Sequence, residues 1–430
     1  MKTQLLCIFA TGFCLTAFAQ DYTDFDLGSY KLPDIVRNQL DLSVNSYGRL
    51  SDNVGSSTNK ALQGNLKTTF NRYKVTRSFM GQQQVQLLIN GDRKKAEEEA
   101  SHSYQFQLHY GNSSRFYNDH LLFFETGAHA SLCQDGFKPD KDTKKHETNI
   151  EAALPLRMGV GRIERVEDAR QAVYIIENLS KRKVLNRSLT QEELLELAQL
   201  ISTVKNKRFL DSRLHLIEEI ATVDTFFQQK ELLATLGSSY FTTLYDYWMY
   251  GDRFQRGAGW EFSGGIKPGL HYRRRSWETD SKDVIPSLQA DVSFNYEKPA
   301  NLYWQHSAQA QIIGFYEKGD DMQNNKYNYT DLGLNGGYSI GYYPNSRTNI
   351  NMSLYAKIGW LKNDESSAII VKQDWLYTDT RLQVDLYYYF SPQMRLSVSG
   401  LVNHHFQDSK KSIYPRWDTQ LDLSFTYSFF

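Results

Sequence analysis

The sequence predicts an all-β chain, a transmembrane antiparallel β-barrel of about fourteen strands (roughly 12–16) that carries one α-helical insert. Three observations predict it. Apolar and polar residues alternate with period two over most of the 430 residues. The runs are about ten residues long, which crosses a bilayer as a tilted strand. Short connections alternate with longer polar ones, as in up-and-down barrels. Beyond residue 19 no stretch of about eighteen apolar residues occurs, so the chain does not cross a membrane as helices. A soluble sandwich would alternate too, over typically shorter strands, and is the plainer alternative.

The first element is not a strand. Met1-Lys2 gives a short basic start, Leu5 to Phe18 an apolar core, and Ala17-Phe18-Ala19 an A-x-A site before Gln20. That pattern is a secretory signal peptide over 1–19, too short for a membrane span. Cys14 lies in no lipid-attachment box, because Phe13 replaces the small residue such a box needs. Loss of 1–19 removes Cys7 and Cys14 and leaves Cys133 alone, so the mature fold is expected to stand without a disulfide. An N-terminal segment, 20–37, follows.

Composition fits a barrel, which shows lipid only every second side chain and sets aromatic residues in interfacial girdles. Mean hydropathy is low at −0.55, yet 14% of residues are aromatic, with 28 Tyr and 24 Phe. Lys plus Arg equals Asp plus Glu at 49 each, so no bulk charge points to nucleic acid.

The first part of the barrel, 38–162, holds about six strands. A pair near 38–50 and 59–75 opens it. In 79–89, Phe79, Val85, Leu87 and Ile89 face away from Gln82, Gln84 and Gln86. In 150–160, Ile150, Ala152, Leu154, Leu156, Met158 and Val160 oppose Glu151, Arg157 and Gly159. The second part, 248–430, holds about eight strands. There 302–312 sets Leu302, Trp304, Ala308, Ala310 and Ile312 against Tyr303, Gln305, Ser307, Gln309 and Gln311. Likewise 350–360 sets Ile350, Met352, Leu354, Ala356, Ile358 and Trp360 against Asn351, Ser353 and Lys357. Short connections are 297–300, 343–346 and 391–393. Longer polar ones are 90–99, 133–148, 276–283, 317–326 and 363–370.

Between the two parts, over 163–247, the period turns helical. Ile163, Val166, Ala169, Val173, Ile176 and Leu179 form one stripe, and Leu194, Leu197, Ile201 and Val204 a second. Thr190 and Glu193 make a capping box with Leu189 and Leu194 as staple. Leu214, Ile217, Ile220 and Phe227 suggest a third helix. Dense charge at Arg162, Glu164, Arg165, Glu167, Asp168 and Arg170 argues against lipid contact. The insert either hangs as a solvated domain or plugs the lumen; the charge favours the solvated domain.

The last strand reads LDLSFTYSFF. Leu421, Leu423, Phe425, Tyr427 and Phe429 point one way, Asp422, Ser424, Thr426 and Ser428 the other, and Phe430 falls out of phase. This resembles the C-terminal signal of bacterial outer-membrane β-barrel proteins. The resemblance implies an outer-membrane location in contact with lipid and lipopolysaccharide. It also implies that Leu423, Phe425, Tyr427, Phe429 and Phe430 are read by the barrel-assembly machinery. With the C-terminus in the periplasm, the short turns and both ends of the insert fall on the periplasmic side. The stretch Gly159 to Arg170, GVGRIERVEDAR, is similar to one found in uncharacterised outer-membrane barrels with such an insert, and implies no activity.

Motifs with chemistry weigh lightly. Gly159-Val160-Gly161 has Glu164 where a dinucleotide fingerprint needs a third glycine, so a strand-to-helix bend explains it better. His404 and His405, near Asp408, are adjacent on a strand and point to opposite faces, which suits no single metal ion. His102, His109, His120, His129, His271 and His306 are scattered without a partner motif, so no enzyme, metal or cofactor is expected. Arg273 and Arg275 should face the lumen mouth and Arg274 the outside at headgroup height, where a guanidinium suits lipopolysaccharide phosphate; a solvated rim is the alternative. The expected lining is polar and of mixed sign: Lys67, Glu125, Arg157, Lys267, Asp291, Asp331, Lys357, Arg381, Asp385, Arg395, Asp418 and Asp422.

The expected function is passive or gated passage of small hydrophilic solutes. The alternative is a membrane anchor whose insert docks a periplasmic partner or peptidoglycan.

Overall fold

Among the described residues, fifteen strands form one antiparallel sheet. In chain order they are β1 Ile35–Ser51, β2 Asn59–Val75, β3 Phe79–Ala96, β4 Glu99–Tyr117, β5 Leu122–Lys138, β6 Lys145–Ala153, β7 Leu156–Arg165, β8 Gly257–Trp277, β9 Thr279–Pro299, β10 Trp304–Asp320, β11 Lys326–Tyr342, β12 Thr348–Glu365, β13 Gln373–Tyr389, β14 Met394–Ser409 and β15 Ser412–Tyr427. Among the described residues between β7 and β8 lie four α-helices: α1 Glu167–Lys181, α2 Gln191–Asn206, α3 Leu216–Gln229 and α4 Ser238–Tyr250. This is a computed structural model, and it describes residues 22, 25–51, 59–96, 99–138, 144–207, 215–235, 237–250, 254–277, 279–320, 326–365, 373–391, 394–409 and 412–427.

Fifteen segments occupy fourteen positions. Both β6 and β7 lie between β5 and β8, with Ala153 opposite His129 and Leu156 opposite Thr126, so no residue is inserted or lost. They are one strand interrupted at Pro155, whose ring removes an N–H from the ladder. Every other neighbour in the sheet is the next strand in the chain, an up-and-down meander. Among the described residues β1 and β15 are each paired on one side only. Their outward side chains are accordingly barer, Val44 at 71% and Leu421 at 76%, than mid-sheet Leu332 and Leu354 at 50% each. The strand β1 ascends as β15 descends, so the two free edges are antiparallel and suited to close the barrel.

The connections depart from expectation. The stretch 90–99 is strand up to Ala96 and again from Glu99, and β8 and β9 run for 21 residues each. Polar residues assigned to long loops extend the ladders instead, because alternation of polar with polar leaves no periodic signal to mark a strand's end.

The insert also differs from its expected bounds. Arg162, Ile163, Glu164 and Arg165 belong to β7, α1 begins at Glu167, and a fourth helix, α4, ends at Tyr250. The capping box forms as read, Thr190 Oγ1 accepting from the Glu193 amide at 3.2 Å and Glu193 Oε2 from the Thr190 amide at 3.0 Å. Ile217 of the expected third stripe is exposed, and Leu214 lies outside the described residues. Only α1 departs from the expected solvated character; most residues of α2, α3 and α4 are not buried. Twelve of the fifteen residues of α1 are buried, Glu167, Asp168 and Arg170 among them. Its charges are buried because partners from other elements meet them, which no local pattern reveals. The N-terminal segment joins the same core through Tyr22, Leu27 and Tyr30.

Candidate functional site: a polar lumen and the cap across it

Outward residues of the sheet are large and apolar, for example Phe262, Val292, Ile312, Leu334 and Ile358. Inward ones are polar. One lateral row across β4, β5, β7, β8 and β9 reads Arg115, Glu125, Arg157, Gly265, Asp291, each directly opposite the next. Arg115 Nε donates to Glu125 Oε2 at 2.6 Å, and its Nη1 to Glu261 Oε2 at 2.6 Å. Ser113 and Asn295 donate to those same carboxylates at 2.8 and 3.0 Å. Arg157 reaches past Gly265 to Asp291 at 2.7 Å, and also donates to Ser263 and Ser293 at 2.9 and 2.8 Å. Each buried charge is thereby paired and hydrogen-bonded, the condition for holding it away from water.

Glycines make these reaches possible. Gly161, with φ of 97°, lies opposite Glu261, where a Cβ would stand 2.3 Å from the Trp260 carbonyl. Gly159 and Gly161 therefore lie inside β7 and clear its inner face; the expected strand-to-helix bend is corrected, since α1 begins only at Glu167. Further round, Tyr377 on β13 passes over Gly359 on β12 to donate to Asp331 on β11 at 2.7 Å, and Lys357 approaches Asp331 at 3.4 Å.

The other expected lining residues are spread along the strands. Arg381 donates to Asn403 at 3.1 Å, Asp385 accepts from Ser399 at 2.6 Å, and Arg395 stacks on Tyr387 at 5.5 Å. Asp418 and Asp422 accept from Arg416 and Gln420 on their own strand, and Lys67 stands exposed on β2. Arg273 and Arg275 pair inward with Asp283 and Glu147, both at 3.3 Å, while Arg274 is exposed. His404 stacks on Trp417 at 4.4 Å, and His405 meets Asp379 on the opposite face at 2.5 Å. Leu423 and Phe425 are exposed on the outer face; Phe429 and Phe430 lie outside the described residues, as does the side chain of Tyr427. Sequence reasoning missed one grouping. His109, His129 and His271, taken as scattered, line a single cavity. Their facing positions in the ladders were the available signal.

The helices are seated on the turns at one end of the sheet. Arg256, buried just before β8, donates to the carbonyls of Leu302, Asn301 and Trp304 at 2.5, 2.8 and 2.8 Å, and so clamps the β9–β10 turn. Tyr174 on α1 donates to the Tyr343 carbonyl at 2.6 Å in the β11–β12 turn, and Tyr303 donates to Glu177 at 3.1 Å. Arg347 pairs with Asp246 on α4 and lies over the Tyr250 ring. On the other flank Arg37 of β1 donates to Asp168 at 2.6 Å.

Asp168 is the centre of the cap. Lys205 on α2 meets it at 3.0 Å, Ser202 donates to it, and Tyr30 hydrogen-bonds Ser202 at 2.6 Å. Burial alone would raise its pKa, but Lys205, Arg37 and the Ser202 hydrogen bond outweigh that and hold the carboxyl well below the usual range. One carboxylate thus ties β1, α1, α2 and the N-terminal segment together.

This meander of fourteen strand positions, apolar on its outer face and polar within, has the pattern of a transmembrane β-barrel. No protein-family model and no curated protein matches it. Among solved structures it is similar to the translocator domain of the autotransporter NalP from Neisseria meningitidis, at 7% identity over 94% of this chain and 91% of that one, TM-score 0.26. A loop-deletion form of OmpT, an outer membrane protein of Vibrio cholerae, aligns at 9% identity over 92% and 99%, TM-score 0.30. The ferripyoverdine receptor of the outer membrane of Pseudomonas aeruginosa aligns at 7% identity over 93% of this chain and 60% of that one, TM-score 0.36.

Proposed function

We propose that the chain forms a passage for small hydrophilic solutes across the outer membrane, with the helical insert as its periplasmic stopper. The observation that carries this reading is the seating of a helical cap, through its buried helix α1, on the turns at one end of a polar lumen. Opposite charges answer one another at Arg115, Arg157 and Lys357, and amides and hydroxyls between them meet a hydrated solute. A barrel of about fourteen strands encloses more than side chains alone fill. Passage then requires the cap to shift, so the path is gated.

In this reading the short turns face the periplasm, lipid surrounds the barrel, and Arg274 meets lipopolysaccharide phosphate. The barrel-assembly machinery reads the last strand. No nucleic acid, cofactor or enzymatic role forms part of it. The anchor reading draws support from Ile217, Phe241 and Tyr245, apolar side chains exposed on α3 and α4 where a periplasmic partner or peptidoglycan could dock.

Proteoliposome swelling with sugars of graded size tests passage. The intact protein is expected to admit them slowly and Arg256→Ala, which releases the clamp on the β9–β10 turn, quickly. No entry through either would contradict the proposal.

A further inference from the structure

One lumen cavity, of about 460 Å³, departs from the charge balance of the rest. Its floor is a lateral row of Gly111, His129, Ala153, Gly269 and Ser287, each opposite the next across β4, β5, β6, β8 and β9. Small residues hollow the wall here. On one side of the floor runs the row His109, Ser131, Glu151, His271. On the other side runs the row Lys267, Gln289, Phe315.

Elsewhere in this half of the lumen, cation and carboxylate meet directly, as Arg157 meets Asp291. Here they do not. Among the described residues neither Lys267 nor Glu151 makes an ion pair, and Glu151 accepts one long hydrogen bond, 3.5 Å from Ser131. The small-residue floor holds the two apart, four residues along the sheet, a Cα separation of roughly 13 Å. Both side chains line the cavity. Lys267 and the carboxylates Glu151 and Glu317, the last on β10 opposite Ser287, face one cavity and favour a ligand carrying the complementary charges at its two ends. Phe315 beside Lys267 offers an apolar face, and the imidazoles, Gln289 and Ser287 offer hydrogen bonds to an amide.

We propose that this cavity binds a small zwitterion, an amino acid or dipeptide. Its carboxylate lies at Lys267, its ammonium at Glu151 and an apolar side chain against Phe315. The proposal names the solute class for the passage reading and rests on it for its physiological meaning, while the binding itself does not.

Calorimetric titration of the refolded full chain in detergent with glycyl-phenylalanine, its N-acetyl form and its C-terminal amide tests it. The free dipeptide is expected to bind at least about tenfold more tightly than either blocked form. Lys267→Gln should abolish the preference over the amide alone, and Glu151→Gln the preference over the acetyl form alone. Gly111→Leu should remove binding from a folded barrel, because a Cβ there meets only the His129 ring at 3.6 Å and its side chain fills the cavity. Equal binding of all three compounds, or none by the unaltered protein, would overturn the site. Binding without ion conductance would leave the site standing and sink the passage; conductance without binding would do the reverse.

Discussion

Arg157 on β7 and Asp291 on β9 meet at 2.7 Å across an intervening strand because the residue between them, on β8, is Gly265. A Cβ on Gly265 would lie 2.3 Å from the Leu156 carbonyl and 2.6 Å from Arg157 Cγ. The same device recurs where Tyr377 crosses Gly359 to Asp331. The lining is therefore a set of side chains laid over glycine gaps, and its rigidity depends on those gaps.

Gly265→Val is expected to destabilise the barrel by about 3 kcal/mol, since it distorts a ladder and parts a buried ion pair. Gly64→Ala on β2, where a Cβ meets nothing within 4 Å, is expected to be neutral. Thermal loss of the compact, detergent-resistant form on gels compares the two. Equal melting would contradict the account of Gly265.

Asp168→Asn removes the carboxylate that Lys205 and Arg37 share. Leaving buried cations unmatched costs about 3–5 kcal/mol. The loss should fall on the cap, because the strand ladders do not depend on it. Limited proteolysis is expected to cut within 167–250 in the variant while the strands stay resistant. Uniform resistance would show that Asp168 does not hold the cap.

The cap's response to pH follows from the same carboxyl. Its folded pKa lies below its unfolded value of about 3.9, so its contribution is complete above that value and fades as pH falls toward the folded one. Glu167 beside it is pushed up by burial and by the Asp168 charge, so its contribution is full at low pH and fades as pH rises through its folded value. That opposing trend softens the loss on acidification and does not move its window. Protection of the insert from an acid-tolerant protease is expected to persist from neutral pH to about pH 4 and to fail only below it. Release between pH 5 and 7 would contradict this.

Strand existence was legible because alternation survives wherever one face meets lipid, as at Ile350 to Trp360. The fourteen positions followed from it. Strand ends were not legible where both faces meet water, as over 90–96. Nor were the lining's partnerships: Arg157 and Asp291 are far apart in sequence, and only register brings them level with Gly265. The burial of α1 was not legible because Asp168 and Arg170 look like a polar face. Their partners Lys205, Arg37 and the Phe254 carbonyl come from three other places in the chain. Tyr22, Leu27 and Tyr30 give no periodic signal, since the regular element among the described residues there is a helical turn of 3 residues.

Closure of the barrel gives a further test. Cysteines at Val44 on β1 and, in separate variants, Leu421, Leu423 or Phe425 on β15 should cross-link in at least one pairing in membranes, with Cys133 replaced by Ser. Disulfide formation needs Cα atoms within about 7 Å. No cross-link in any pairing would mean that β1 and β15 do not close on each other.

Single-channel conductance in planar bilayers tests the central claim, that the insert stops a polar lumen. The refolded protein is compared with a form in which a short Gly-Ser linker replaces 167–250. The account predicts rare or small openings from the intact chain and steady, larger current from the shortened one. Silence from both, with each folded, would contradict it.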